Sequence, residues 1–200
     1  MRKFISTTFL LSGIVVAAAM TGGVAAANDG INRAQFTEDG KAKIPENWRN
    51  WVYVGTPLTP NALNGGSAPF PEFHNVYIEP SAYAHWQKTG EFADGTQLAK
   101  ELVLVRENDN DEENGSSAEV SGVGYFQGEF FGLELTVKDT TRYANEPGGW
   151  AYFSFGHKAP PYETTAAAFP TDSCNACHEA NAAEDFVFTQ FYPVLRAAKP

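Results

Sequence analysis

Sulfur is scarce in this chain of 200 residues, which carries only two cysteines and two methionines. The cysteines, Cys174 and Cys177, are a single pair with no second C-x-x-C and no H-x-x-x-H, so a zinc cage has no second half. Both methionines, Met1 and Met20, lie at the N-terminal end, so nothing beyond position 20 can supply a thioether ligand. Positive charge is also short, with 14 Lys and Arg against 24 Asp and Glu. An acidic chain of this kind is a poor binder of nucleic acid or of an anionic membrane. It suits a soluble partner with a basic docking face.

What is present is more specific. Cys174-Asn175-Ala176-Cys177-His178 reads C-x-x-C-H, the attachment signature of a c-type haem. Two thiols one helical turn apart add across the two haem vinyl groups, and the next His offers its imidazole to the iron. A redox dithiol followed by a chance His is the weaker reading. One haem per chain, with His178 as its iron ligand, is expected. With methionine absent, the sixth iron position is left open or taken by His74, His85, His157 or a deprotonated Lys. An open position fits best, and an open position means ligand chemistry.

The N-terminus agrees. Arg2 and Lys3 precede an apolar run from Phe4 to Met20, and Ala25-Ala26-Ala27 offers small residues for cleavage. Residues 1–27 therefore read as a signal peptide, and 28–200 as one exported, periplasmic domain with no membrane attachment after cleavage. Loss of Arg2 and Lys3 leaves 12 basic against 24 acidic side chains, a formal charge of −12.

The body is not that of a helical cytochrome. Trp51–Gly55, Phe73–Glu79, Leu98–Arg106, Gly122–Val137 and Trp150–Phe155 read as strands. Pro80–Lys88, Lys138–Asn145, the Cys174 segment and Phe188–Ala198 read as short helices, with Thr171, Asp172 and Ser173 as capping choices for the third and Pro193 starting or kinking the last. The polar stretch 107–117 places Asp109 and Asp111 as in a calcium loop but lacks its Gly and terminal Glu, and reads as a solvated hairpin loop. The expected fold is α+β, mainly antiparallel sheet, with the haem-bearing helix near the C-terminus.

Strand parity singles out two charges. Lys100 shares a face with Leu98, Leu102 and Leu104. A lysine at a core position needs a partner or must lose its charge. If Ala99, Glu101, Val103 and Val105 face the core instead, Lys100 reaches water, and parity alone does not choose. Glu134 shares a face with Phe126, Gly128, Phe130 and Gly132, where glycines beside aromatics would let a flat macrocycle approach. A carboxylate there would serve proton transfer. A solvent-facing Glu is the plainer reading. His85 and His157 read as local structure or surface.

The segments VYIEPSAYAHWQKTGEFADGT, KELVLV, GYFQGEFFGLELTVKD, RYANEPGGWAYFSF and CNACHEANAAEDFVFTQFYPVLRAAK resemble the cytochrome P-460 family across nearly the whole exported chain. The resemblance implies a β-rich homodimer with a five-coordinate haem c, bound through Cys174 and Cys177, ligated by His178 and tied at a porphyrin meso carbon to Lys100. It places the distal catalytic carboxylate on Glu134. Where the family's best-known member carries an Arg, this chain has His74, a residue suited to proton shuttling or to hydrogen-bonding substrate. The implied activity is oxidation of hydroxylamine, through nitric oxide-level haem intermediates, to nitrous oxide or nitrite. A soluble periplasmic cytochrome, basic by charge complementarity, would accept the electrons. The β-type cytochromes c′ share the fold and bind nitric oxide or carbon monoxide without this turnover. They lack the lysine and cap the distal site with apolar groups, for which Phe126 and Phe130 are candidates here. A bis-His electron carrier is the third possibility.

Overall fold

The computed structural model describes residues 30–107 and 115–200. The expected signal peptide, and Asp109 and Asp111, lie outside the described residues. Among the described residues nine strands appear in order: β1 (Ala42–Lys43), β2 (Val52–Gly55), β3 (Phe73–Ile78), β4 (Gln97–Val105), β5 (Ser117–Glu119), β6 (Gly122–Gly124), β7 (Gln127–Lys138), β8 (Trp150–Ser154) and β9 (Thr165–Ala166). Three α-helices accompany them: α1 (Pro80–Thr89), α2 (Asn175–Asn181) and α3 (Pro193–Ala198). The fold is α+β, built on an antiparallel sheet of order β2-β3-β4-β7-β8. Among the described residues no helix is long and apolar enough to cross a membrane.

β3 is aromatic and β-branched, and α1 follows it at once because Glu79 caps the helix. Its carboxylate accepts from Ser81 N at 2.8 Å and Ala82 N at 3.1 Å, ahead of Pro80 in the first turn. Gly90, at φ 70°, ends the helix in the left-handed conformation glycine adopts without penalty. Trp86 then stacks on Phe92 and donates its indole N–H to Leu195 O at 2.8 Å, which ties α1 to α3.

Each face of the sheet has its own core. Val76, Ile78, Leu98, Trp150 and Tyr152 pack with α1, α3 and Cys174. Ala99, Leu133, Leu135, Ala151 and Phe153 pack on the other side, against Ala42, Ala166 and the aromatic segment around Trp48. Burying one large apolar side chain contributes about 1.5–3 kcal/mol, so neither face is spare. β4 is covered on both sides, which is why its alternation carried no answer.

The register makes the site. Val76, Lys100, Glu134 and Ser154 lie directly opposite one another across β3, β4, β7 and β8, and so point to one face. That face carries the first core, so Lys100 points inward. The even parity of β7 breaks at a bulge, where Leu102 pairs with Gly132 but Val103 with Phe130. Phe130 is thereby turned to the opposite face and does not share one with Glu134, contrary to the sequence pattern. The glycines give a macrocycle no room either: a Cβ on Gly132 would meet Gly156 O at 3.0 Å, and one on Gly128 would meet Arg106 Cα at 3.0 Å.

Other expectations shift locally. Gly122–Val137 is two strands, because Gly122–Gly124 pairs with β5 in a separate hairpin. Of the helix expected over Lys138–Asn145, Lys138 ends β7 and residues 139–145 form turns with no α-helix. Asp139 Oδ1 accepts from Thr141 N and Arg142 N, and Asp94 takes Thr140 N, so side chains replace the helical ladder. Pro193 starts α3 after a separate 3-10 turn at Thr189–Phe191. Thr171, Asp172 and Ser173 are not the cap of α2. Cys174 holds that position without a side-chain bond, and Asn175 anchors the helix by donating to Trp150 O at 2.8 Å.

Candidate functional site

One cavity of about 580 Å³ opens between the first face of the sheet and the C-terminal segment, a size typical of cofactor sites. Its wall includes Cys174, Cys177 and His178 from the α2 region and His74, Lys100 and Glu134 from the sheet. All six residues nominated by sequence therefore meet in one place. The rest of the wall is largely apolar, with Leu98, Phe70, Phe169, Phe188 and Phe191 among it. Phe126 and Phe130 do not line it. They cover the guanidinium groups of Arg106 and Arg49 instead.

His178 is held on three sides. Its Nδ1–H donates to Phe186 O at 2.7 Å, and its ring sits 4.3 Å from Tyr152 and 4.6 Å from Phe188, centroid to centroid. Bonding at Nδ1 selects the tautomer whose lone pair is on Nε2, as a metal-ligating histidine requires. Burial pushes His178 below its ordinary value, favouring the neutral, ligating form. The acceptor carbonyl comes from a strained turn, in which Asp185 and Phe186 adopt φ 41° and 62°. Such positions cost about 1–3 kcal/mol each and persist only when surroundings enforce them. Here Asp185 accepts from Lys138 Nζ at 2.7 Å and from Trp150 Nε1 at 3.2 Å. The Phe186 ring fills the space where a Cβ on Gly148 would stand 2.5 Å away.

On the opposite wall, Lys100 Nζ pairs with Glu134 Oε2 at 2.5 Å, both side chains about a quarter exposed. Burial alone would raise the Glu134 carboxyl, but the Lys100 charge and the hydrogen bonds from His157 and Lys100 hold it down at about 2. His74 is different. Burial, and then the Lys100 charge, push it down to about 4, so it is neutral at neutral pH and not the proton shuttle its residue type suggests. Its Nε2 is buried with no hydrogen-bond partner, and the nearest carboxylate, Glu72, stands 4.0 Å away, too far to bond. His85 lies on α1 outside the cavity wall.

The family model for cytochrome P-460 matches residues 45–189, a span that includes His74, Lys100, Glu134, Cys174, Cys177 and His178. The chain belongs to the cytochrome P-460 family. No curated protein matches it. Membership in this c-type cytochrome family implies haem and its iron as cofactor. The residues present fit that group. Two free thiols and an imidazole with its Nδ1 committed elsewhere stand in one apolar cavity, which is the donor set that haem attachment and iron ligation need.

Asp185 and Asn175 were not among the site residues expected from the sequence, and His157, expected to serve local structure or the surface, belongs to this P-460 site instead. His157 lines the cavity with its Nε2 2.9 Å from Glu134 Oε1. It lies beyond the end of β8, where no periodicity reports on it. Asp185 acts through a turn whose positive φ values no Gly or Asn announces. Asn175 is hidden among the variable positions of the haem motif.

Proposed function

We propose that this chain is a periplasmic mono-haem c-type oxidoreductase that oxidises hydroxylamine to nitrous oxide or nitrite and passes the electrons to a soluble periplasmic cytochrome. The observation that carries the reading is the Lys100–Glu134 pair set in the same apolar cavity as Cys174, Cys177 and His178. When bound, haem would supply the iron that takes substrate and the redox chemistry that removes its electrons.

The chain's own residues do the rest. Cys174 and Cys177 would hold the group by thioethers, and His178 Nε2 would ligate its iron. Lys100 would add a third tether at the macrocycle edge. Glu134 would receive at its Oε atoms the protons that hydroxylamine gives up, the tether having taken the Lys100 amine out of its ion pair with that carboxylate. His74, neutral and with Nε2 unpartnered, offers the substrate a hydrogen bond. The phenylalanines exclude water. A formal charge of −12 after signal cleavage suits a basic acceptor. A homodimer is the assembly we propose for it.

A gas-binding relative would need neither a charged pair nor a proton acceptor in its distal wall, and Phe126 and Phe130 are not there to cap the site. Replacing Glu134 with Ala is expected to leave haem attached and nitric oxide binding intact while hydroxylamine turnover falls about 10²–10⁴-fold, the usual worth of a positioned proton acceptor. Steady-state oxidation with a cytochrome acceptor reads this, and unchanged turnover removes Glu134 from the chemistry.

A further inference from the structure

Glu134 has two neighbours, and only one of them leads outward. The Lys100 side chain is 26% exposed and that of His157 51%, against 22% for the carboxylate both touch. The seat for that ring is built. Gly156, at φ 113°, turns the chain off the end of β8 in a conformation that strongly favours glycine. Gly132, which is on the Glu134 face, leaves out the side chain whose Cβ would stand 3.0 Å from Gly156 O and 3.3 Å from His157 Cδ2. Phe131 completes the seat by stacking on the ring at 23° and 6.4 Å. Two glycines and an aromatic thus hold one imidazole between a cavity carboxylate and solvent.

We propose that His157 is the proton exit of the cavity, taking from Glu134 the protons that Glu134 receives and releasing them to water. This deepens the proposed function and rests on it. In the Nδ1–H tautomer, Nε2 is the acceptor. The O–H bond at Glu134 Oε1 breaks as the N–H bond at Nε2 forms, giving a carboxylate and an imidazolium. The Nδ1 proton then leaves to water, and the ring remains as the Nε2–H tautomer, donating to the restored carboxylate. Exchange through water resets the tautomer, and no electron moves.

The charges around the ring suit this cycle. The hydrogen bond to Glu134 raises His157 above its ordinary value, burial and the Lys100 charge oppose this, and Glu72 adds to it. Lys158, next in sequence, is occupied by Glu163 at 2.5 Å. His74, on the same cavity wall, makes no bond to Glu134 and stays neutral. His157 acts through Glu134 and does not touch substrate.

The test uses the haem-loaded full chain. By NMR, the His157 ring is expected to titrate above its ordinary value and to fall back in Glu134→Gln. His157→Gln keeps a hydrogen-bond donor but cannot carry a proton. It is expected to lose about 10²-fold in kcat, with KM little changed, and to lose one limb of the pH profile. The proposal is overturned if the ring titrates alike with and without the Glu134 carboxylate, or if His157→Gln matches the parent across pH. A parent protein that does not oxidise hydroxylamine contradicts the proposed activity instead, and the ring titration then decides the relay alone.

Discussion

Two carboxylates stand on opposite faces of the same pair of strands, and their surroundings differ. Glu101, on β4, is buried against Arg49, which binds it through both Nε and Nη2 and is itself sandwiched between Trp48 and Phe130. Tyr162 donates to it at 3.2 Å. None of these residues lines the cavity that holds Cys174 and Cys177. Glu134, paired across the strands with Lys100, has an equally good cation but opens into the apolar cavity beside two thiols and a histidine. Both carboxylates are satisfied, so pairing does not mark function here. The side of the sheet on which the partner and the space lie does. Residues 100 and 101 are neighbours in sequence and serve different ends because a strand alternates.

The comparison can be broken from either side. The largest effect expected is the loss of turnover in Glu134→Ala, with little change in fold. The mirror change, Arg49→Ala, leaves the Glu101 carboxylate buried with only Tyr162, and removing one partner of such a pair costs about 3 kcal/mol or more. A denaturant midpoint shifted at constant slope reads this, while turnover per folded molecule should stay at the parent level. Loss of turnover in that variant would mean that the two faces are not independent.

Smaller effects sharpen the cavity side. Asp185→Ala frees the strained turn that presents Phe186 O to His178. Such outer partners are typically worth about 10–100-fold in metal affinity or activity, so nitric oxide binding to the loaded protein should weaken about tenfold and its absorption bands shift. Unchanged bands would mean that Asp185 does not position the ligand. Finally, Glu134 is ionised down to about 2 in the folded chain against an ordinary 4.5. Its charge therefore stabilises the fold fully above about 4.5, and this is lost as pH falls toward 2. Before haem loading, Glu134→Gln should flatten the fall of stability across that window. Denaturant midpoints at stepped pH check it, and an unchanged slope speaks against the pairing.

Much of this site was legible in the sequence, for identifiable reasons. The haem motif is contiguous, the missing methionine is a matter of counting, and the strands of the sheet announce themselves by β-branched and aromatic runs. Lys100 could not be oriented by parity because β4 is buried on both faces, and only the layer packed on each face decides. Phe130 was misplaced because a bulge, invisible in the pattern, inverts parity at a single residue of β7. His157 and Asp185 reach the site from turns, where position is set by backbone φ and by long-range bonds rather than by any repeat.

If Lys100 and Glu134 make this cavity a catalyst rather than a gas-binding pocket, Lys100 carries the mark of it. Protein matured in a periplasm, digested and mapped by mass spectrometry, should yield one haem joining the Cys174–Cys177 peptide to the peptide carrying Lys100. Haem found only on the cysteine peptide would contradict the account.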